Sequence, residues 1–213
     1  MNGLSGRRGQ ARRNDELILE SARAVFIADP DAPIAAVAKH AGVGISALYR
    51  RYAGKEELLR KLCGDGLRLY VQIARRAVEE GTEDDPWDTF ARFMRRIVEA
   101  DTHTLTINLA GRFQPTEDLA AEGATAEELN ALIVKRAQKV GVLRKDIGPH
   151  DLSHIFEQIA NVHGPTPERT RKLRSRYLAL QLDGLRGPAR TKLPGPPPTG
   201  EEQAARWIPH RHE

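Results

Sequence analysis

Aromatic residues make up only 5% of this chain, and cysteine occurs once, as Cys63. Scarce aromatics argue against a surface that stacks unpaired bases. A lone cysteine cannot close an internal disulfide, which points to the reducing cytoplasm. No apolar run approaches the roughly eighteen residues that a membrane-spanning helix needs, so no membrane partner is expected. Arg7, Arg8, Arg12 and Arg13 near the N-terminus have no apolar stretch behind them, unlike a secretory leader. A phosphate-binding glycine loop, a nucleophile elbow and a metal-ligating cluster are missing too. An enzyme is therefore not expected, and neither a catalytic residue, a cofactor nor a metal. His150 and His154 stand four apart beside Asp151 and Glu157, but with no further ligand pattern they read as surface or interface histidines.

What is present is charge, unevenly placed. Residues 1–62 carry eleven Lys/Arg against seven Asp/Glu, and the remainder carries twenty-two of each, so the whole formal excess of +4 lies in front. A basic front and a neutral rear is the footprint of a module that meets phosphate, although a solvated charged face gives the same count.

Apolar residues recur at helical spacing throughout, and no segment alternates like a strand. The pattern predicts an all-α chain of about nine helices: one opening after Asn14 or Asp15 as N-cap candidates, a second after Pro33, a third over Ile45–Tyr52, and a long fourth from Lys55. Five more follow, over Trp87–Ala100, Thr102–Phe113, Thr125–Val140, Pro149 to about Val162, and Glu168–Leu185. Residues 1–13 read as a disordered basic arm and 14–56 as a reader domain. Residues 57–185 read as a helical body, and 186–213, with six of the thirteen prolines, as a poorly ordered tail.

The most informative stretch runs from Val37 to Tyr52. A helix-turn-helix needs a small residue where its helices cross, and Ala38 stands there; it needs a turn residue content at positive φ, and Gly42 follows four residues on. Val37, Val43 and Leu48 supply the apolar clamp. That leaves Ile45, Ser46, Ala47, Tyr49 and Arg50 on the outward side of the second helix, which in such a motif enters the major groove.

The run Ala41-Gly42-Val43-Gly44-Ile45-Ser46-Ala47-Leu48-Tyr49-Arg50-Arg51-Tyr52-Ala53-Gly54-Lys55-Glu56-Glu57-Leu58 resembles the signature of the TetR family of bacterial regulators. Val142 to Ile147 and the stretch Arg176 to Arg186 resemble later parts of that family more weakly. The resemblance implies a three-helix reader in front of a dimerising, ligand-binding body, with Tyr49 and Lys55 on DNA phosphates. Gly44 and Ser46 depart from it, since the family often has serine at the first position and usually glycine at the second. Glycine still caps a helix acceptably, while the Ser46 hydroxyl is free to read a base or phosphate, and Ile45 or Ala47 to touch a thymine methyl. Arg12 and Arg13 are candidates for phosphate or minor-groove contact.

The same resemblance places Leu152, Phe156, Ile159, Tyr177, Leu178 and Leu182 in a four-helix dimer interface, core packing being the alternative. It places a small-molecule pocket among the middle helices, with Phe90, Phe93, Ile97 and Phe113 as apolar candidates and His103, Asn108, Glu157 and Asn161 as polar ones. The function implied is a cytoplasmic, homodimeric repressor, released from a pseudo-palindromic double-stranded DNA operator by a small-molecule effector. The alternative is a DNA-binding protein of the same fold governed by a protein partner or by its abundance.

Overall fold

The computed structural model describes residues 3–80, 85–109, 111–189 and 191–206, with the side chains of 3–12 and 106–108 left out of the description. Its helices are α1 (Gly3–Ala28), α2 (Ile34–Ala41), α3 (Ile45–Tyr49), α4 (Lys55–Glu80), α5 (Pro86–Ala100), α6 (Thr102–Leu109), α7 (Glu117–Lys139), α8 (Pro149–Ala160), α9 (Pro167–Leu185) and α10 (Gly200–Ala205). The all-α expectation holds: among the described residues there is no strand, only an isolated bridge between Leu143 and Arg186.

Helix ends follow local chemistry. The Asp85 carboxylate caps α5 by accepting from the Trp87 and Asp88 amides at 2.9 and 3.0 Å, with Pro86 in the first turn. Thr116 caps α7 through the Leu119 amide, and this cap with Glu117 and Asp118 behind it starts the helix well before Thr125. The small-residue run around Gly123 hides that start from a periodicity reading. α1 likewise begins before Asn14, so the backbone from Gly3 is helical where an irregular arm was expected; no proline interrupts the chain before Pro30. α3 stops at Tyr49 and α6 at Leu109, each short of its expected end.

Two apolar cores form. The first joins α1, α2, α3, the start of α4 and α6, around Phe26, Leu48, Leu58, Leu105 and Phe113. The second joins the rest of α4 with α5, α7, α8 and α9, around Phe90, Phe93, Met94, Ile97 and Phe156. α4 passes from one to the other, with Leu58, Leu59, Leu62 and Cys63 in the first and Tyr70, Val71, Ala74 and Ala77 in the second.

The proline-rich tail is docked, contrary to expectation, as far as Arg206. Gly187 donates to the Val142 carbonyl at 2.9 Å and lies so close to the backbone opposite that a Cβ would sit 2.5 Å from the Gly141 oxygen. Arg144 then holds the crossing. Its guanidinium grips both oxygens of Asp146 at 2.6 and 2.9 Å and donates to the Gly184 and Thr191 carbonyls, while the Leu193 amide donates to Asp146 at 2.8 Å. These bonds hold the Asp146 carboxyl well below the ordinary carboxylate range, chiefly through Arg144. Composition missed this because the tail is held by polar groups and buries almost nothing apolar. Trp207 and His210 fall outside the described residues.

Asp146→Asn removes the charge that Arg144 and Leu193 share. Trypsin should then cut after the exposed Lys192 roughly fivefold faster or more, because local opening becomes cheaper, while helix content by circular dichroism stays unchanged.

Candidate functional site: an outward helix and a cavity

α2 and α3 are set by the turn between them. Gly42 caps α2 at φ 66° and ψ 28°, a left-handed conformation that costs glycine little, and the Val43 amide donates to the Ala38 carbonyl at 3.0 Å. Val37 and Leu48 are fully buried and Ala38 nearly so, so the two helices are clamped as their residue types require. The opposite side of α3 faces solvent: Gly44, Ser46 and Arg50 are exposed, Ile45 is 40% and Tyr49 51% exposed, and Ala47 is half-buried. Large apolar side chains this exposed on a clamped helix are unspent packing surface, available to another molecule.

The far end of α3 is tied to α1. Tyr52 donates to the Asp15 carboxylate at 3.1 Å and Arg51 pairs with it at 2.7 Å. Asp15 is therefore a mid-helix anchor and not a helix cap. Burial, reinforced by Asp15, pushes the Tyr52 hydroxyl well above its ordinary range.

Lys55 opens α4 with its ammonium 5.3 Å from the centre of the Phe26 ring, half-buried, and burial lowers its pKa. It is the first residue of α4, and the free backbone N–H groups of a helix start favour an anion. Arg13 is exposed on α1, and the side chain of Arg12 lies outside the described residues.

A cavity of about 390 Å³ lies between α4, α6, α7, α8 and the tail. Its apolar walls come from Leu67, Leu119 and alanines of α7. Tyr70 donates to Asn130 at 2.6 Å across it. Cys63 and Gly66 of α4 and Thr102 and His103 of α6 complete the side nearest the first core. Burial pushes the Cys63 thiol up to about 12, so it is no nucleophile. His103 packs against Phe156 and Tyr70, at 4.8 and 5.4 Å between ring centres, and burial, with Arg206 adding to it, lowers its pKa to about 4. It is neutral near pH 7.

Of the expected pocket residues, His103 and Glu157 line this cavity. Phe90, Phe93 and Ile97 are packed in the second core and Phe113 in the first. Asn161 is an exposed helix cap that donates to the Glu157 carbonyl at 3.0 Å, and the side chain of Asn108 lies outside the described residues. Asn130, Gln203 and Arg206 were not anticipated. Asn130 left a signal, a polar residue on the stripe Ala126, Ile133, Val134 and Ala137; Arg206 left none.

The expected dimer residues need correcting. Leu152, Phe156, Ile159, Leu178 and Leu182 are buried within one chain, sealing α8 and α9 against α5 and each other. A single helical stripe serves a subunit's own core or a partner's equally well, and here the core has it. Tyr177 alone of the set is exposed, at 45%, beside Leu180 at 58%.

Residues 18–62 match the family model described as bacterial regulatory proteins, tetR family, and residues 85–187 match that of a transcriptional regulator SbtR-like, C-terminal domain. No curated protein matches the sequence. Among solved structures, the chain resembles the ketosteroid transcriptional regulator KstR2 of Mycobacterium tuberculosis (TM-score 0.62, 20% identity, 82% of this chain and 95% of that one). It also resembles the TetR-like regulator LfrR from Mycobacterium smegmatis in complex with proflavine (0.58, 20%, 85% and 99%). A third likeness is PfmR, a TetR family transcriptional regulator from Thermus thermophilus (0.58, 22%, 79% and 98%).

The neutral His103 carries a pH signature. Its folded pKa near 4 lies below the ordinary 6.5, so the unfolded chain takes up a proton that the folded chain refuses. The stability it confers is complete above pH 6.5 and is lost as pH falls toward 4, by about 1.4 kcal/mol per pH unit. Denaturant melts of the natural chain should therefore fall more steeply with acid in this window than those of His103→Gln. Parallel curves would show that His103 takes up its proton as readily in the fold as in the unfolded chain.

Proposed function

As the chain belongs to the TetR family of bacterial transcriptional regulators, DNA-binding proteins and not enzymes, we propose that it is a cytoplasmic, homodimeric repressor released from a pseudo-palindromic operator by a small-molecule effector. The observation that carries this reading is the position of the cavity. Cys63 lines it while belonging to the first core, and α6 supplies both His103 at the cavity and Leu105 and Leu109 in that core. A molecule seated there touches the two helices on which the reader is mounted. That LfrR holds proflavine within the same fold supports a small molecule as the occupant.

In this reading α1 to α3 form the reader, with Ile45, Ser46, Ala47 and Arg50 toward base edges and Gly44, Tyr49, Lys55, Arg12 and Arg13 toward phosphates. Residues 57–185 form the sensing and dimerising body. One helix-turn-helix reads a half-site, so two readers must stand roughly 34–36 Å apart, one turn of DNA. An effector that favours a tilted α4 moves them off that spacing. It shifts the equilibrium only by its differential affinity for the two states, typically about 1–3 kcal/mol of coupling.

Reciprocity supplies the test of release: once an effector and an operator are in hand, calorimetry should show weaker effector binding by the same factor when operator is present. Equal affinity in both titrations removes the mechanism. In the reader, Lys55→Ala should weaken binding to operator and random DNA alike and lower the salt slope by about one. Ser46→Ala should instead change which half-site is preferred. For the dimer, Leu180→Arg with Tyr177→Arg should give monomers by light scattering with the fold retained, since both positions are exposed. A doubly charged variant that stays dimeric places the interface elsewhere.

A further inference from the structure

The segment from Thr191 to Arg206 lies beyond both family models, yet it completes the cavity: Gln203, Ala204 and Arg206 form part of the wall. α10 has no buried residue of its own. It is folded by a reciprocal cap, Thr199 donating to Glu202 at 2.7 Å and Glu202 to Thr199 at 3.2 Å. It is fastened by charge at both ends, through Asp146 to Leu193 and through an ion pair between Arg206 and Glu157. A strap held by polar clasps and little apolar area detaches at modest cost.

The charges facing the cavity decide what can detach it. Among the described residues that line it, the carboxylates are Glu127 and Glu157 and the permanent cation is Arg206; the imidazoles are His150 and the neutral His103. Glu157 is only 18% exposed, and the His154 ring lies 3.6 Å from it. An anionic ligand at Arg206 would either share the guanidinium with Glu157, setting two negative charges side by side on a wall that also holds Glu127, or leave this largely buried carboxylate uncompensated, and both are unfavourable. A cation in the same place keeps Glu157 paired and displaces Arg206 into water, where a guanidinium is well solvated. The surrounding wall, with Leu67, Leu119 and the ring of Tyr70, suits an apolar body around that charge.

We propose that Arg206 is a built-in competitor for a lipophilic monocation, and that such an effector binds by taking Arg206's place on Glu157 and unlatching the C-terminal strap. This rests on the cavity being the effector site and specifies the ligand's charge and the part of the chain that answers to it.

The experiment is calorimetry of the full-length protein with two ions of one shape and opposite charge, tetraphenylphosphonium and tetraphenylborate, alongside tryptic cleavage after Lys192. Tetraphenylphosphonium should bind at least about tenfold more tightly than tetraphenylborate. Its affinity should fall about tenfold or more in Glu157→Gln, which loses the anionic partner, and rise severalfold in Arg206→Gln, which loses the competitor. It should also speed cleavage after Lys192 in the natural chain. Equal or tighter binding of tetraphenylborate overturns the proposal, as does weaker tetraphenylphosphonium binding in Arg206→Gln, unchanged cleavage on saturation, or no binding of either ion. If a neutral compound fills the cavity and lowers operator affinity while these ions fail, ligand release stands without the strap. If tetraphenylphosphonium binds and unlatches the strap but leaves operator affinity unchanged, the strap stands and ligand release falls.

Discussion

Everything in this molecule hangs on α4 being one uninterrupted helix that is buried at both ends in different cores. Its first turns carry Leu58, Leu59 and Leu62 into the reader's core, and its later turns carry Tyr70, Val71, Ala74 and Ala77 into the body's. Packed interiors are close to crystalline in density, so such a helix cannot slide or bend by small amounts without disturbing both cores at once. It transmits position as a rod does. α6 runs beside it, with Leu105 and Leu109 in the first core and His103 packed on Phe156 and Tyr70 of the second, so two struts join the cores and both line the cavity.

Buried arginines finish what the apolar cores leave open. Arg174, almost wholly buried, donates to the Val162 and Ala160 carbonyls at 3.1 and 2.6 Å and pairs with Asp101 at 2.9 Å. It thereby satisfies carbonyls at the end of α8 and pins the corner between α5 and α6 to α9. Arg144 does the same service for the end of α9, the linker before α8 and the tail. Each is a planar five-donor group facing several acceptors, a task for which lysine's single ammonium is poorly suited. Arg144 and Arg174 thus have a structural use in the body.

The cavity differs from the reader in how it is made. The outward face of α3 belongs to one short segment, whereas the cavity wall is assembled from α4, α6, α7, α8 and the tail. No contiguous run of residues encodes it. Its polar groups are correspondingly scattered, with Asn130, His103, Glu157 and Arg206 each brought in by a different element.

The sequence alone determined the helical class, the turn at Gly42, the clamp of Val37 and Leu48, and the outward residues of α3. All of these depend on neighbours within about four positions, where helical spacing and glycine's backbone freedom act directly. Only the tertiary structure decided which apolar stripes serve the chain's own core, so Phe156 and Leu178 proved internal while Tyr177 and Leu180 remained outside. It alone decided that Phe93 and Phe113 pack in separate cores, and that Arg206 comes to rest on Glu157. Periodicity reports that a face is apolar but not what covers it, and a tail held by ion pairs and carbonyl contacts has no apolar pattern to read.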